Sequence, residues 1–369
     1  AIDGSADNTG NLTMTYGSTI NGAVGATYSL ASINLFNTYG GGSTFNGTVN
    51  TKALTLNSAS YSSATFNDVL TVADAAKFTG SNQNLILAAD ANFANGISFN
   101  GYNSTITLDS AEGDKTFMGT INTVDNSSTG ILQIQGTNTF TLANAVASSA
   151  AQRLYLVQVN DNSKASFSHD IYSQYFNILN GATATFGCNV DGAVQLRDGT
   201  MIVQDGFNVT GTIDNIVTGN GYGVLKLLGT NTVSGAVGSS YALKSITTGA
   251  SGAIATFSST VNATTISSDA GKTVFNGNIF TDLVTGTLNF TADGIVELAS
   301  GKTIAGVVST NTADTGTLTL NGTSKVTGTV GSGKALKLVT AGQSATTSTF
   351  DDKVNATTIS VGSGTAAFN

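Results

Sequence analysis

The sequence holds no proline and no tryptophan, one cysteine and one histidine, and only 10% of its 369 residues are charged. An average chain of this length would carry on the order of 18 prolines, and about a quarter of its residues would be charged. Missing proline suits a fold in which almost every backbone N–H serves an inter-strand ladder. The lone Cys188 excludes an internal disulfide; that is compatible with bacterial export and unlike small secreted eukaryotic domains. Glutamate occurs only at Glu112 and Glu297, so the straight-chain polar residues that favour helices are scarce. A net charge of −8 and a pI near 4.4 argue against nucleic acid, which is bound by clustered Lys and Arg. They also disfavour an anionic membrane surface. No run of about 18 apolar residues could cross a bilayer as a helix. No signal peptide opens the chain, and its last residues, Phe368-Asn369, repeat Phe275-Asn276 from 93 residues earlier. We therefore expect a piece of a longer protein.

What is present is glycine, at 44 residues, together with abundant Thr, Ser, Asn, Ala, Val and Ile, and 40% of residues are hydrophobic. That is enough to fill a sizeable core, from residue types that favour strands and turns. Disorder competes for so polar and weakly charged a chain. It is excluded by Val, Ile, Leu and Phe recurring at fixed intervals.

Internal repeats dominate the sequence. Residues 256–267 return as 349–360, 93 residues on, and the two copies differ only at the three residues after the Phe. A second landmark, a short alternating strand opened by Gly10, Gly130, Gly223 and Gly316, divides the chain into modules 1–129, 130–222, 223–315 and 316–369, the last one truncated. Each module echoes Gly22-Ala23-Val24-Gly25 as Gly235-Ala236-Val237-Gly238 and Gly328-Thr329-Val330-Gly331, with a looser Ala145-Val146-Ala147-Ser148 in the second.

Within modules a shorter period appears. Phe45 and Phe66 are 21 residues apart, Phe167 and Phe186 are 19, Phe186 and Phe207 are 21, and Phe257 and Phe275 are 18. Coils of roughly 18 to 22 residues predict an all-β chain, a parallel β-helix (β-solenoid) running as one continuous stack through residues 1–369. Parallel rungs at about 4.8 Å would make some 18 coils a rod roughly 90 Å long. We expect one inward column of Phe45, Phe66, Phe117, Phe167, Phe186, Phe257, Phe275 and Phe350, each worth on the order of 2 kcal/mol when buried. Four residues on, Val49, Leu70, Ile121, Ile171, Val190, Val261, Ile279 and Val354 form a second. Midway between them lie Gly47, Asp68, Gly119, His169, Cys188, Ser259, Gly277 and Asp352. A column so mixed is a solvent corner, so the chain bends there. Residues 143–156 have the best helical propensity, yet their place in the repeat assigns them to strand or loop.

Few residues could carry chemistry. A Ser-His-Asp triad would need His169, and no Gly-x-Ser-x-Gly elbow supplies the nucleophile. Cys188 lies 19 residues after His169, which any repeat column would produce, and both read as inert corner residues. Asp351-Asp352 and the set Asp109, Glu112 and Asp114 lack the calcium-binding nonapeptide and read as solvated turns. Paired carboxylates for glycoside hydrolysis have too few acids to draw on. The Thr-x-Thr pairs (Thr13/Thr15, Thr105/Thr107, Thr139/Thr141, Thr317/Thr319) are too scattered for an ice-binding face. Asn262-Ala263-Thr264 and Asn355-Ala356-Thr357 match the glycosylation pattern, as composition alone would produce. No catalytic residue, cofactor or metal is expected.

Val-Asn-Ala-Thr-Thr-Ile at 261–266 and 354–359, Gly-Thr-Leu-Asn-Phe-Thr-Ala at 286–292, and Gly-x-Val-Gly followed by Ala-Leu resemble the rickettsial surface cell antigens, most nearly the passenger region of the outer membrane protein B type. The resemblance implies an autotransporter passenger on the bacterial cell surface, acting as coat and adhesin. Its partners would be a host-cell surface protein or glycan, with lateral self-association possible and no membrane insertion by this stretch. The competing classes are a filament or tail-fibre subunit and a β-helical polysaccharide-active enzyme; the latter would show Asp, Arg or His clustered over a groove.

Overall fold

The computed structural model describes residues 1–36, 41–57, 61–74, 76–100, 103–124, 129–280, 286–343 and 345–369. Short strands pair in parallel with the strands one turn before and one turn after, which makes the chain an all-β solenoid. Thr287–Phe290 shows why: Thr287 and Asn289 face out while Leu288 and Phe290 are buried, the two-residue period of a strand with one face on a core. The one helical turn among the described residues is a 3-10 turn at Ala150–Gln152; the rest of 143–156 is strand, turn and loop.

The residues group into two compact units, Ala1–Ala184 with Val190–Gly192, and Thr185–Asn189 with Ala193–Asn369. Turn length varies more than the Phe spacing suggests. Paired residues are 18 apart at Ile254 and Lys272 but 26 apart at Thr105 and Ile131. Extra residues are absorbed between strands, where lengthening a loop costs little.

Apart from Val354, every residue of both expected inward sets is at most 1% exposed. They do not, however, form two columns. In the first unit Phe45 stacks on Phe66, with ring centroids 4.6 Å apart, and that column continues through Leu87, Leu108 and Ile134. Val49 lies in the neighbouring column, which runs from Val24 through Val49 to Leu70, Ala91, Phe117, Leu142 and Phe167. Phe117 and Phe167 thus sit above Val49, while Ile121 and Ile171 flank Val146 in a third column. The second unit repeats the shift. Val233, Phe257, Phe275 and Leu298 form one column. Val261 and Ile279 lie in another that reaches Phe350 through Ile304 and Val326. Phe186 is succeeded by the turn that ends at Val203, since Gln204 N–H donates to Phe186 O at 2.9 Å, and Phe207 is only half-buried.

The physical reason is that a corner and a column ask for different things. Phe, a bend and an aliphatic residue make a corner: Phe45 ends strand Gly42–Phe45 and Val49 opens Val49–Leu56. A core column asks only for apolar side chains of compatible volume, so Phe can follow Leu, Ile or Ala. Because turn length is unconstrained, the corner motif can move to the next corner of the coil.

The corner positions need correction too. His169 and Asp352 are exposed as expected, but Cys188 is 1% exposed and Gly277 is buried. A Cβ at Gly277 would lie 2.1 Å from Ser259 O, so only glycine lets the two turns approach this closely. Val354 is half-buried, bridging Val330 on one side with no described strand on the other.

The two sequence echoes prove to be one structural device. Val24 bridges Val49, Val237 bridges Val261, and Val330 bridges Val354, so Gly-x-Val-Gly and Val-Asn are successive turns at a single corner. The closing glycines have φ of +67° (Gly25), +65° (Gly238) and +68° (Gly331). In each case the Asn of the next turn, Asn50, Asn262 or Asn355, donates Nδ2–H to that glycine's carbonyl at 3.2 Å. In the second module Ala147 takes the left-handed place with φ +57°, and Tyr172 stands where the others have Asn.

Candidate binding surface

With most of the apolar residues turned inward, function must be read from the outward positions and the turns. The turns are held by side chains reaching across one rung. Asp90 Oδ1 accepts from Thr116 N–H (2.7 Å), Asp114 Oδ1 from Thr139 N–H (2.8 Å), and Asp205 Oδ1 from Thr230 N–H (2.7 Å). Asparagines do the same or form ladders: Asn67 donates to Asn46, and Asn46 to Asn21, each at 2.8 Å. Much of the small acidic complement is thereby committed to joining turns, where a hydrogen bond to a charged acceptor contributes about 1.5–3 kcal/mol.

The residues singled out for chemistry are dispersed. Asp109 accepts from Ala111 N–H and Gln135 Nε2, and Asp114 is a staple. A cavity of about 370 Å³ lies beside Asn67, Ala88, Asp109, Ala111 and Glu112. It opens where Ala88, too short to continue the amide ladder, follows Asn67. Asp351 pairs with Lys325 Nζ at 2.6 Å, whereas Asp352 accepts from the adjacent Lys353 N–H. No group of three potential metal ligands occurs among the described residues. Asn262 is 1% exposed, which removes its amide from any glycosylating enzyme in the folded chain. Thr317 and Thr319 face outward, but Thr107 is buried with its Oγ1 3.0 Å from Asn84 Oδ1, so the Thr105/Thr107 pair does not present two outward hydroxyls.

The surface feature that sequence reasoning missed is tyrosine. Tyr61 is 76% and Tyr16 66% exposed, and Tyr28, Tyr155, Tyr222 and Tyr241 are also exposed. Tyr155 and Tyr175 meet edge to face at 5.8 Å. The signal lay in the contrast between 18 Phe and 10 Tyr in a chain without Trp. Phe fills the core, and the aromatic that carries a hydroxyl stays at the surface. A small groove of about 260 Å³ runs beside Tyr61, Ser62, Ser63, Asn82 and Asn84.

Ion pairs join turns as well. Lys337 Nζ lies 2.6 Å from Asp293 Oδ2, holding that carboxyl below its usual 3.8 and raising the lysine above its usual 10.5. Lys325 lowers Asp351 in the same way, and the Thr27 N–H lowers Asp3. A depressed carboxylate contributes stability above its unfolded pKa that disappears as pH falls through its folded one. The raised lysine contributes below its unfolded pKa and loses this as pH rises through its folded one. The denaturation midpoint should therefore fall as pH drops through the carboxylate range, below about pH 5. Equilibrium denaturation across pH checks this, and a midpoint unchanged down to about pH 2 would contradict it.

No helix among the described residues is long and apolar enough to cross a membrane, which leaves β-barrel spans unaddressed. No family model and no solved structure matches the chain. Over 92% of its length it is 28% identical to the protein named outer membrane protein A of Rickettsia rickettsii, and it spans 15% of that protein's length. The likeness supports a relation to a rickettsial surface antigen.

Proposed function

We propose that this chain is a stretch of an autotransporter passenger displayed at the bacterial cell surface, where it serves as structural coat and as an adhesin for host cells. The alignment with outer membrane protein A along 92% of the chain carries the reading. The fold supports it physically: stacked coils offer a pre-formed, repeating surface on which many weak contacts add. It acts by binding and has no catalytic step or cofactor. The partner is a host-cell protein or glycan, and the exposed tyrosines are the anchors, since aromatic side chains dominate interface energetics.

Labelled purified chain should bind cultured host cells saturably. Replacing Tyr16 and Tyr61 together by alanine should weaken that binding about tenfold or more, the equivalent of about 1.4 kcal/mol. Non-saturable binding, or none, would defeat the adhesin half of the proposal. Saturable binding that ignores both substitutions would move the contact away from these tyrosines.

A further inference from the structure

One ladder of the second unit turns aliphatic side chains toward solvent. Strands Ile254–Phe257, Lys272–Phe275, Ile295–Leu298, Thr315–Leu320 and Leu336–Ala341 align an outward column of Ile254, Lys272, Ile295, Thr317 and Leu338. Ile254 is 45% and Ile295 40% exposed, and Leu338 is half-buried. Strand propensity does not require isoleucine there, because threonine satisfies the same backbone preference and offers water a hydroxyl.

Charge singles out the same strip. Lys272 Nζ lies 2.7 Å from Glu297 Oε1, and Lys337 Nζ, at its border, 2.6 Å from Asp293 Oδ2. The two ion pairs cancel four of the charges at the strip, so it is less negative than a chain of net charge −8 is on average, with Asp314 at its edge adding to the field on Lys337. Copies of such a chain repel one another over much of their surface, and this strip is where they approach at least cost. It is also self-complementary, since Lys272 and Glu297 stand on neighbouring turns: each copy offers a cation and an anion to the same groups of another.

We propose that this strip is the lateral contact between copies of the chain, a reading that rests on the surface-coat half of the function proposed above. Five strands about 4.8 Å apart, presenting two columns of side chains, cover roughly 200–300 Å² per copy. A stable pair needs about 800 Å² per partner. Each contact is therefore weak alone and becomes effective at the local concentration of a crowded surface.

Sedimentation equilibrium of the purified chain from about 10 μM to about 1 mM tests this. The average mass of the wild type should rise with concentration, and that of the I254K/I295K variant should stay at the monomer value. K272E and E297K should each associate less than wild type, and an equimolar mixture of the two should regain association, because their strips then carry opposite charge. Circular dichroism confirms that each variant folds. A wild type that stays monomeric throughout, an I254K/I295K variant that associates as wild type does, or a mixture without rescue would overturn the proposal. None of these readouts involves host cells, so failure here is distinguishable from failure of the adhesin reading, and failure to bind cells leaves this contact standing.

Discussion

Replacing Phe257 by alanine should lower the chain's stability by about 3–5 kcal/mol, read from the shift of the denaturant midpoint. The ring is 1% exposed, stacks on Phe275 at 5.1 Å between centroids and pairs with Val233 in the preceding turn. Removing it opens a void that a column fixed by hydrogen bonds above and below cannot collapse. The informative part is the coupling. Phe257 and Phe275 share a column, so their double-mutant cycle should show an interaction of about 0.5–3 kcal/mol. Phe350 is the residue equivalent to Phe257 in the sequence repeat, yet it stands in the column of Val261 and Ile279. The pair Phe257 and Phe350 should be additive within about 0.5 kcal/mol. Coupling between the repeat equivalents, with none between the stacked rings, would reverse the assignment of columns.

The second large effect concerns the closing glycine of the repeated corner. At Gly238, φ is +65° and a Cβ would fall 2.2 Å from Asn262 O, which is itself backbone and cannot swing away. Gly238→Ala therefore combines left-handed strain with displacement of the next turn and should cost about 2–4 kcal/mol. Ala147 already bears a side chain in the same conformation, with φ +57°. Ala147→Gly relieves that strain against the greater entropy of glycine in the unfolded chain, and should raise stability by up to about 1 kcal/mol. The two substitutions are chemical inverses and should shift the denaturation midpoint in opposite directions. Shifts of the same sign would mean that the second-module corner is not built like the others.

Which parts of this were legible in the sequence follows from what each residue type encodes. The bends were legible because Phe, a turn dipeptide such as Asn46-Gly47 and an aliphatic residue recur with fixed local spacing, and local spacing is what backbone geometry dictates. The assignment of those corners to columns was not. It depends on how many residues each turn spends before returning, and the offsets run from 18 to 26 without a marker in composition. The unity of Gly-x-Val-Gly and Val-Asn escaped for the same reason: their stacking is a contact across one whole turn, 24 residues from Val237 to Val261. The outward strip was hidden more deeply. Ile254 and Ile295 look like core residues in the sequence, and only their register beside the buried Ala255 and Val296 turns them toward solvent.

The repeated corner motif changes column within this solenoid, and a disulfide trap reads out that change. Thr349 pairs with Lys325 one turn earlier, and parallel neighbours at about 4.8 Å are within reach of a disulfide. Thr319, by contrast, belongs to the column of Thr256, Val274 and Glu297, where Thr349 would stand if repeat equivalents shared a column. Under mild oxidation the Lys325→Cys/Thr349→Cys variant should cross-link within the chain, detected as a loss of two hydrogens by intact mass, and the Thr319→Cys/Thr349→Cys variant should not. Cross-linking of the second pair but not the first would place the repeat equivalents in one column.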